Sequence, residues 1–415
     1  MVLIIRVLMS KTNKNISVRN FYMAVGVIAM LFAGILYAWS ILKSPLAQDF
    51  GWGKSQLALA FTIAMTFFCI GGLLGARLAD RAGHCAALIV AGVFSALGFI
   101  LTGMLDNVSV VVLYVTYGVF AGLGIGIAYN VVIATVSAWF PDKKGLCSGW
   151  LMMGFGASAL VLGNVADAMF KSYIGWRSAY IILGIAVFVV LILAGILIKK
   201  PGADVVLPEA KKAKNTSEEA FGKKDYTTLQ MLKRPSFWMA FLCISFLAAV
   251  GNSVISFAKD LAMSVNAPES LAVSLVGVLS VCNGLGRILT GVIFDAIGRR
   301  KTMIFANVIT ICAAGVTLFA VVVNSLWLCV AGLCLTGLSY GACPTFMAAF
   351  TSSFYGMKHF SNNMAIMTFT VMVGSFIATA SNKVFEITGG YNATFAMLLA
   401  ITFVAFILNV FIKRP

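Results

Sequence analysis

Charged residues are scarce in this chain, and their scarcity excludes an ordinary soluble fold. Only 11% of the 415 residues are charged, whereas 61% are hydrophobic and the mean hydropathy is +0.99. A soluble globular domain carries about 25% charged residues, so this composition is typical of a polytopic membrane protein. Short segments of alternating hydrophobicity are also missing, which argues against a membrane β-barrel.

Residues that serve catalysis or bind metals and cofactors are scarce as well. The chain has two histidines, His84 and His359, and its nine cysteines form neither a CxxC pair nor a metal-ligand spacing. A phosphate-binding loop and a recurring set of nucleophile, base and orienting residue are missing too. The sequence therefore predicts that the protein is not an enzyme and binds no metal or cofactor.

Twelve apolar runs are long enough to cross a membrane as helices. They cover residues 19–44, 54–79, 85–104, 109–137, 145–169, 177–198, 235–261, 269–295, 302–322, 326–350, 359–384 and 391–412. The sequence thus predicts an all-α polytopic membrane protein with twelve transmembrane helices in two pseudo-symmetric six-helix bundles.

Acidic residues are few, with 14 against 30 basic residues, and the placement of the excess indicates topology. If the termini and the loops after spans 2, 4, 6, 8 and 10 share one side, that side carries 23 of the 30 basic residues. Lys and Arg accumulate in cytoplasmic loops, so both termini are predicted to be cytoplasmic in a multi-pass cell membrane protein. Nucleic acid is not an expected partner, because the one long loop lacks interleaved aromatic residues.

The polar segments divide the chain into four parts. Residues 1–18 are predicted to be an N-terminal cytoplasmic tail, in which Met1 and Met9 both remain candidate start residues. Residues 19–198 form the first six-helix bundle, 199–234 a solvated cytoplasmic linker rich in Lys, Glu, Ser and Asn, and 235–412 the second bundle.

Internal repetition supports this division. Asp80 and Asp295 lie 215 residues apart in similar segments, and Phe140 and Phe354 lie 214 apart. Two halves of common ancestry are the simplest explanation. Parallel six-helix halves are the arrangement of a transporter that rocks around a binding site near the middle of the membrane.

Arg287 is the most unusual residue of the sequence, because it lies inside the eighth span. It stands eight residues before Asp295, or about 12 Å of helix from that polar end. A charge at this depth is costly and in membrane proteins marks a substrate or ion pathway. We therefore predict that Arg287 binds an anion; the alternative is a structural arginine that bonds the carbonyls of a broken helix.

Tyrosines in three other spans are candidates for the same site. Tyr37, Tyr129 and Tyr340 lie in apolar spans 1, 4 and 10, where each phenol needs a hydrogen-bond partner. The alternative interpretation is packing, which is the usual role of aromatic residues on membrane helices.

A loop motif indicates the superfamily. The segment GVIFDAIGRR at 291–300 resembles the loop signature of the major facilitator superfamily, which occurs once in each half. The segment ARLADRAGH at 76–84 is a second copy that departs from the pattern at Ala76 and His84. The resemblance implies a gating role, in which the acid pairs at a helix end and the basic residues hold neighbouring helices, for Asp80, Arg81, Gly83, Asp295, Gly298, Arg299 and Arg300.

Three further segments narrow the resemblance to a family. AWFPDKKGLCSG at 138–149, YAWS at 37–40 and NGLGR at 283–287 together are similar to the oxalate/formate antiporters and the related monocarboxylate transporters. The resemblance implies that Arg287 is the anion-binding cation. It implies substrate contacts for Asn283, one turn earlier, and for Tyr37, Tyr129 and Tyr340.

The family resemblance leads to an expected function with two alternatives. We expect a secondary transporter of short monocarboxylates such as lactate or pyruvate, coupled to protons and working by alternating access. The first alternative is an oxalate/formate-type antiporter, and the second is an anion channel or a substrate sensor.

Two departures from the relatives bear on these alternatives. Oxalate carriers have a second cation on helix 11, where this chain has Val371, and a single cation favours a monoanion over a dianion. Animal monocarboxylate carriers have an aspartate in place of Asn283. The proton therefore either travels with the substrate, as the protonated carboxylic acid, or passes through Asp260 beside Lys259. The alternative for Asp260 is a structural ion pair at the helix end.

Overall fold

The computed structural model describes residues 2–106, 109–142, 144–202, 225–356 and 358–413. The side chains of 2–17, 144–146, 295, 296, 299 and 361 are outside this description. Of the predicted tail at 1–18, the structure describes the backbone, which is part of a helix Val2–Ala33, but not the side chains before Val18. Most of the predicted linker falls outside the described residues.

Within the described ranges, 11 helices are long and apolar enough to cross a membrane. One of them, Lys54–Gly103, contains 50 residues and is broken at Gly83. We label the resulting twelve segments α1 Val18–Phe50, α2 54–82, α3 84–103, α4 Val110–Ser137, α5 Cys147–Lys171, α6 Gly175–Leu197, α7 Pro235–Ser264, α8 Glu269–Phe294, α9 Arg300–Val322, α10 Leu326–Tyr355, α11 Asn362–Thr388 and α12 Tyr391–Phe411.

The same glycine conformation breaks the chain in both halves. Gly83, between α2 and α3, has φ 86° and ψ 160°, and Gly298, between α8 and α9, has φ 77° and ψ 170°. Residues with a side chain rarely adopt such positive φ values, so glycine allows the tight reversal at both places. The two halves thus share a backbone feature at the positions where their sequences repeat.

Helices α1–α6 pack among themselves, as do α7–α12, and the two groups meet along α2 with α11 and α5 with α8. Small residues allow this close approach: a Cβ added at Gly156 of α5 would collide with the carbonyl oxygen of Ser280 in α8. As a result, α8 is held against the opposite group of helices along the face that carries Arg287.

The end of the predicted linker packs against the second group of helices. The amide of Tyr226 donates to the Tyr355 carbonyl oxygen at 3.0 Å, and Asn363 Nδ2 donates to the Tyr226 carbonyl oxygen at 3.0 Å. A short helix, Thr228–Leu232, follows with its own capping box. The solvated linker predicted for 199–234 is therefore packed against protein over its last residues.

Candidate functional site

Arg287 lies on α8 with only 8% of its surface exposed. Its Nη1 donates a hydrogen bond to Tyr129 Oη on α4 at 3.0 Å, whereas its Nε is buried without a hydrogen-bond partner among the described residues. The ion pairs of the described side chains do not include Arg287. Its charge thus remains available to an anion.

Asn283 lies one helical turn before Arg287 on the same face of α8. Its side chain is 2% exposed, and its Oδ1 has no hydrogen-bond partner in the described part of the chain. Helix α10 packs so closely against the main chain of α8 here that a Cβ at Gly341 would collide with the Asn283 carbonyl oxygen. Helix packing therefore fixes the backbone from which both polar side chains project.

Tyr37 and Tyr340 approach this pair from two other helices. Tyr37 lies in a 3₁₀ turn, Gly34–Ala38, that interrupts α1, and its ring centroid is 6.2 Å from that of Tyr340 on α10. The Tyr37 phenol interacts with the side chains of Asn283 and Arg287. The structure thus places all five predicted binding residues in one cluster, drawn from both halves of the chain, in which four are buried and Tyr129 is half-buried.

Phenylalanines surround the polar cluster on the side of the first six helices. The Phe155 ring lies edge-on to Tyr37 at 5.0 Å and to Tyr129 at 5.1 Å, and Phe68 contacts Tyr129 at 5.1 Å. Apolar walls lower the local dielectric constant, which strengthens electrostatic interactions with Arg287. A small ligand with one charged end and an apolar body suits such walls.

Asn252 on α7 is a site residue that the sequence analysis did not identify. Its Oδ1 accepts a hydrogen bond from Tyr340 Oη at 2.8 Å, and its Nδ2 donates to the Val371 carbonyl oxygen at 3.0 Å and to Ser375 Oγ at 3.1 Å. It therefore orients Tyr340 and joins α10 to α11 beside Val371. The available signal was the single amide side chain in the centre of span 7, where the other polar residues are serines.

Asp260, the predicted proton-coupling residue, does not join the Arg287 cluster. Its Oδ2 lies 2.8 Å from Lys43 Nζ of α1, so its ion pair crosses between the two groups of helices. The Lys43 side chain is 4% exposed and that of Asp260 27%. The predicted helix-end pair with Lys259 is thus replaced by a pair with a residue more than 200 positions away.

Two further ion pairs cross between the two halves near Lys43. Lys259 lies 3.7 Å from Asp167, and Lys171 lies 3.4 Å from Glu269. Within the second half, Lys259 also pairs with Glu269 at 2.9 Å. We call Lys43, Asp167, Lys171, Lys259, Asp260 and Glu269 the gate cluster. Nearby, Ser55 Oγ donates to Glu386 Oε2 at 2.8 Å, another contact between the halves. These contacts close the protein at this end.

The predicted loop-motif residues lie at the opposite end of the helices. Asp80 and Arg81 are exposed and form no ion pair with a described side chain, and Arg300 is also exposed. The side chains of Asp295 and Arg299 are outside the described residues. Gly83 and Gly298 have the backbone role given above, while a gating role of the charged residues stays a prediction.

Comparison with known protein families gives evidence on the identity of the chain that is independent of the site geometry. The model of the Major Facilitator Superfamily matches residues 22–379 and 241–415. An oxalate:formate antiporter from Oxalobacter formigenes is 26% identical over 409 residues, which cover 95% of this chain and 91% of the antiporter. Human monocarboxylate transporter 12 is 24% identical, with 78% of this chain and 66% of the transporter covered. An uncharacterized transporter of Escherichia coli, YhjX, is 27% identical, with 85% and 84% covered.

Solved structures show the same fold at low sequence identity. A nucleoside transporter superposes with a TM-score of 0.71 at 12% identity, covering 96% of this chain and 100% of that chain. A D-xylose-proton symporter gives a TM-score of 0.68 at 13% identity, covering 95% and 97%. Together with the family match, the twelve-helix fold confirms the resemblance predicted from the loop motif: this chain belongs to the Major Facilitator Superfamily.

Proposed function

We propose that the protein is a secondary transporter of short monocarboxylate anions of the lactate and pyruvate type. The observation that carries this proposal is the buried Arg287, whose guanidinium has a tyrosine partner and no carboxylate among the described residues. A carboxylate would form a charge-assisted hydrogen bond with it. The similarity to oxalate:formate and monocarboxylate transporters supports the same class of cargo.

The charge of the site favours a monoanion. Arg287 is the one cation that contacts the described cluster, and Val371 stands on α11 next to the Asn252 and Tyr340 pair. A dianion bound there would leave a net negative charge away from water, which is unfavourable. An oxalate/formate-type exchanger is the second candidate, supported by the match over 95% of the chain to the Oxalobacter antiporter.

The proposed topology follows from the distribution of basic residues. The loop-motif end carries most of them, so we assign it and both termini to the cytoplasm. The gate cluster then closes the extracellular side. Transport by alternating access requires these contacts between the bundles to separate so that the site becomes accessible from outside.

Proton coupling is part of the proposal, and uptake by proteoliposomes tests it. Under an inward pH gradient, uptake of labelled lactate is expected to saturate with concentration and to collapse when a protonophore is added. Exchange that needs internal anion and ignores the gradient would favour the antiporter. A conductance that does not saturate would favour a channel, and binding without transport would favour a sensor.

Val371→Lys tests the charge argument. A second cation on α11 is expected to weaken lactate binding or to permit binding of a dianion such as oxalate, because it supplies the missing positive charge. Competition of both anions against labelled lactate measures the effect. Val371→Met is the matched control, since it changes the size of the side chain without adding charge. Unchanged affinities for both anions in the lysine variant would show that this position does not line the site.

A further inference from the structure

A groove between α1 and α6 opens on the outer surface of the first six helices and shares no lining residue with the Arg287 cluster. Its volume is about 590 Å³, and it is lined by Val18, Phe21, Tyr22, Ile196, Leu197 and Lys199. The side chains of Phe21, Ile196 and Leu197 are exposed, so the apolar walls face the surroundings of the protein. In a chain that spans a membrane, those surroundings are lipid.

Aromatic residues mark the depth of this groove in the membrane. The Tyr22 ring lies 5.0 Å from the Trp139 ring, and Trp139 Nε1 donates a hydrogen bond to the Lys199 carbonyl oxygen at 2.6 Å. Trp and Tyr are enriched at the headgroup level of the bilayer. Lys199 therefore lies at the level of the lipid phosphates, while Ile196, inside α6, lies deeper against the acyl chains.

The rim of the groove is cationic. Lys199 and Lys200 are exposed, and neither takes part in the ion pairs of the described side chains. The chain that carries them is held where α6 ends, because His84 Nε2 lies 2.6 Å from the Ile198 carbonyl oxygen and Trp139 bonds the next carbonyl. Among the described residues, the lining includes no acidic side chain. Two unpaired cations at headgroup depth favour a phosphate-bearing anion.

We propose that the groove between α1 and α6 binds one phospholipid with an anionic headgroup, of the phosphatidylglycerol type. The lipid phosphate accepts hydrogen bonds from the ammonium groups of Lys199 and Lys200, and an acyl chain packs along Phe21 and Ile196. A zwitterionic phospholipid binds more weakly, because its own cation would lie beside the lysines. A second copy of this chain would use only the apolar walls, and free phosphate would use only the cations. The inference is independent of which anion the protein transports.

Titration of the purified full chain in detergent with dioleoyl phosphatidylglycerol tests this site. The lipid is expected to raise the unfolding temperature and to be retained in native mass spectra, whereas dioleoyl phosphatidylcholine, with the same acyl chains, is expected to bind about 10-fold more weakly. Inorganic phosphate alone is expected to have no effect. Equal affinities for the two lipids, an equal stabilisation by phosphate alone, or a lipid-free dimer would overturn the inference.

The double variant Lys199→Gln with Lys200→Gln assigns the headgroup contact. Its affinity for phosphatidylglycerol is expected to fall about 30-fold, because each lysine near the membrane surface contributes about 5-fold. The matched control is Lys233→Gln with Lys413→Gln, which removes the same charge from two exposed lysines at the same end of the second bundle. An equal loss in the control would show a non-specific attraction and would contradict a site between α1 and α6.

Ile196→Trp tests the apolar half of the groove. The larger side chain is expected to weaken phosphatidylglycerol binding about 10-fold, because it displaces roughly two methylene groups of the acyl chain. Ile185→Trp is the matched control, since Ile185 is also exposed on α6 and lies about three turns earlier on nearly the same face. Unchanged affinity in Ile196→Trp, or an equal loss in Ile185→Trp, would exclude the groove as the lipid site. All substituted positions are exposed, so the variants are expected to fold, and the comparison of the two lipids on the wild type needs no variant.

Discussion

Arg287→Gln is expected to abolish lactate uptake while the protein still inserts and folds. Glutamine retains a polar side chain but removes the positive charge that balances the substrate carboxylate. Losing one partner of a buried, hydrogen-bonded charge pair costs about 3 kcal/mol, which is about a 100-fold loss of affinity. Initial uptake rates in proteoliposomes, normalised to the amount of reconstituted protein, measure the effect.

Arg287→Lys is the informative companion of this variant. Lysine keeps the charge but replaces the planar guanidinium with a shorter-reaching point charge, so the hydrogen bonds to the carboxylate and to Tyr129 are not both retained. We expect residual uptake between that of the wild type and that of Arg287→Gln. Wild-type uptake in Arg287→Gln would show that Arg287 is a structural residue.

The second large effect is expected from Asp260→Asn. Removing this carboxylate leaves Lys43 buried and unpaired in the conformation described here, while separation of the bundles would return its ammonium group to water. Because Asp260 is partly exposed, leaving Lys43 without its partner destabilises the closed conformation by about 2 kcal/mol. This corresponds to a change of about 30-fold in the equilibrium between the closed and open conformations. The variant should favour the state that is open at the gate cluster.

A distance measurement between spin labels reports this equilibrium. Tyr173 and Ile387 are exposed residues at the gate end of the first and second bundles, and cysteines introduced there provide the label sites. The labelled Asp260→Asn variant is expected to populate a longer distance between the two labels than the labelled protein that retains Asp260. The double variant Lys43→Gln with Asp260→Asn removes both charges and should shift less. An unchanged distance distribution in Asp260→Asn would show that the pair does not hold the gate closed.

The helices and the central cation were predictable because they depend on local properties of the sequence. Hydropathy over about 20 residues identifies each span, and the cost of burying a charge identifies Arg287 regardless of its neighbours. The tyrosines were placed in the site by resemblance to relatives, and the structure brings them together. The break at Gly83 lies in the loop motif between predicted spans 2 and 3, so its place was also predictable.

Other parts of the site depend on contacts between distant segments, which hydropathy does not encode. The pair of Lys43 with Asp260 forms only because α1 and α7 of opposite bundles meet, and the neighbouring Lys259 was the obvious partner in sequence. Asn252 is an ordinary polar residue in a span until Tyr340 and Val371 are seen to bond with it. That Asn283 Oδ1 lacks a hydrogen-bond partner among the described residues likewise depends on where distant helices lie, so the sequence alone does not reveal it.

A thermal-shift screen of monocarboxylates on the purified wild-type and Arg287→Gln proteins tests the central claim most directly, because a ligand that binds only the folded state raises the unfolding temperature. The proposal predicts that lactate raises the Tm of the wild type in a concentration-dependent manner and leaves that of Arg287→Gln unchanged. Equal increases in both proteins, or no increase with any monocarboxylate, would contradict an anion-binding site at Arg287.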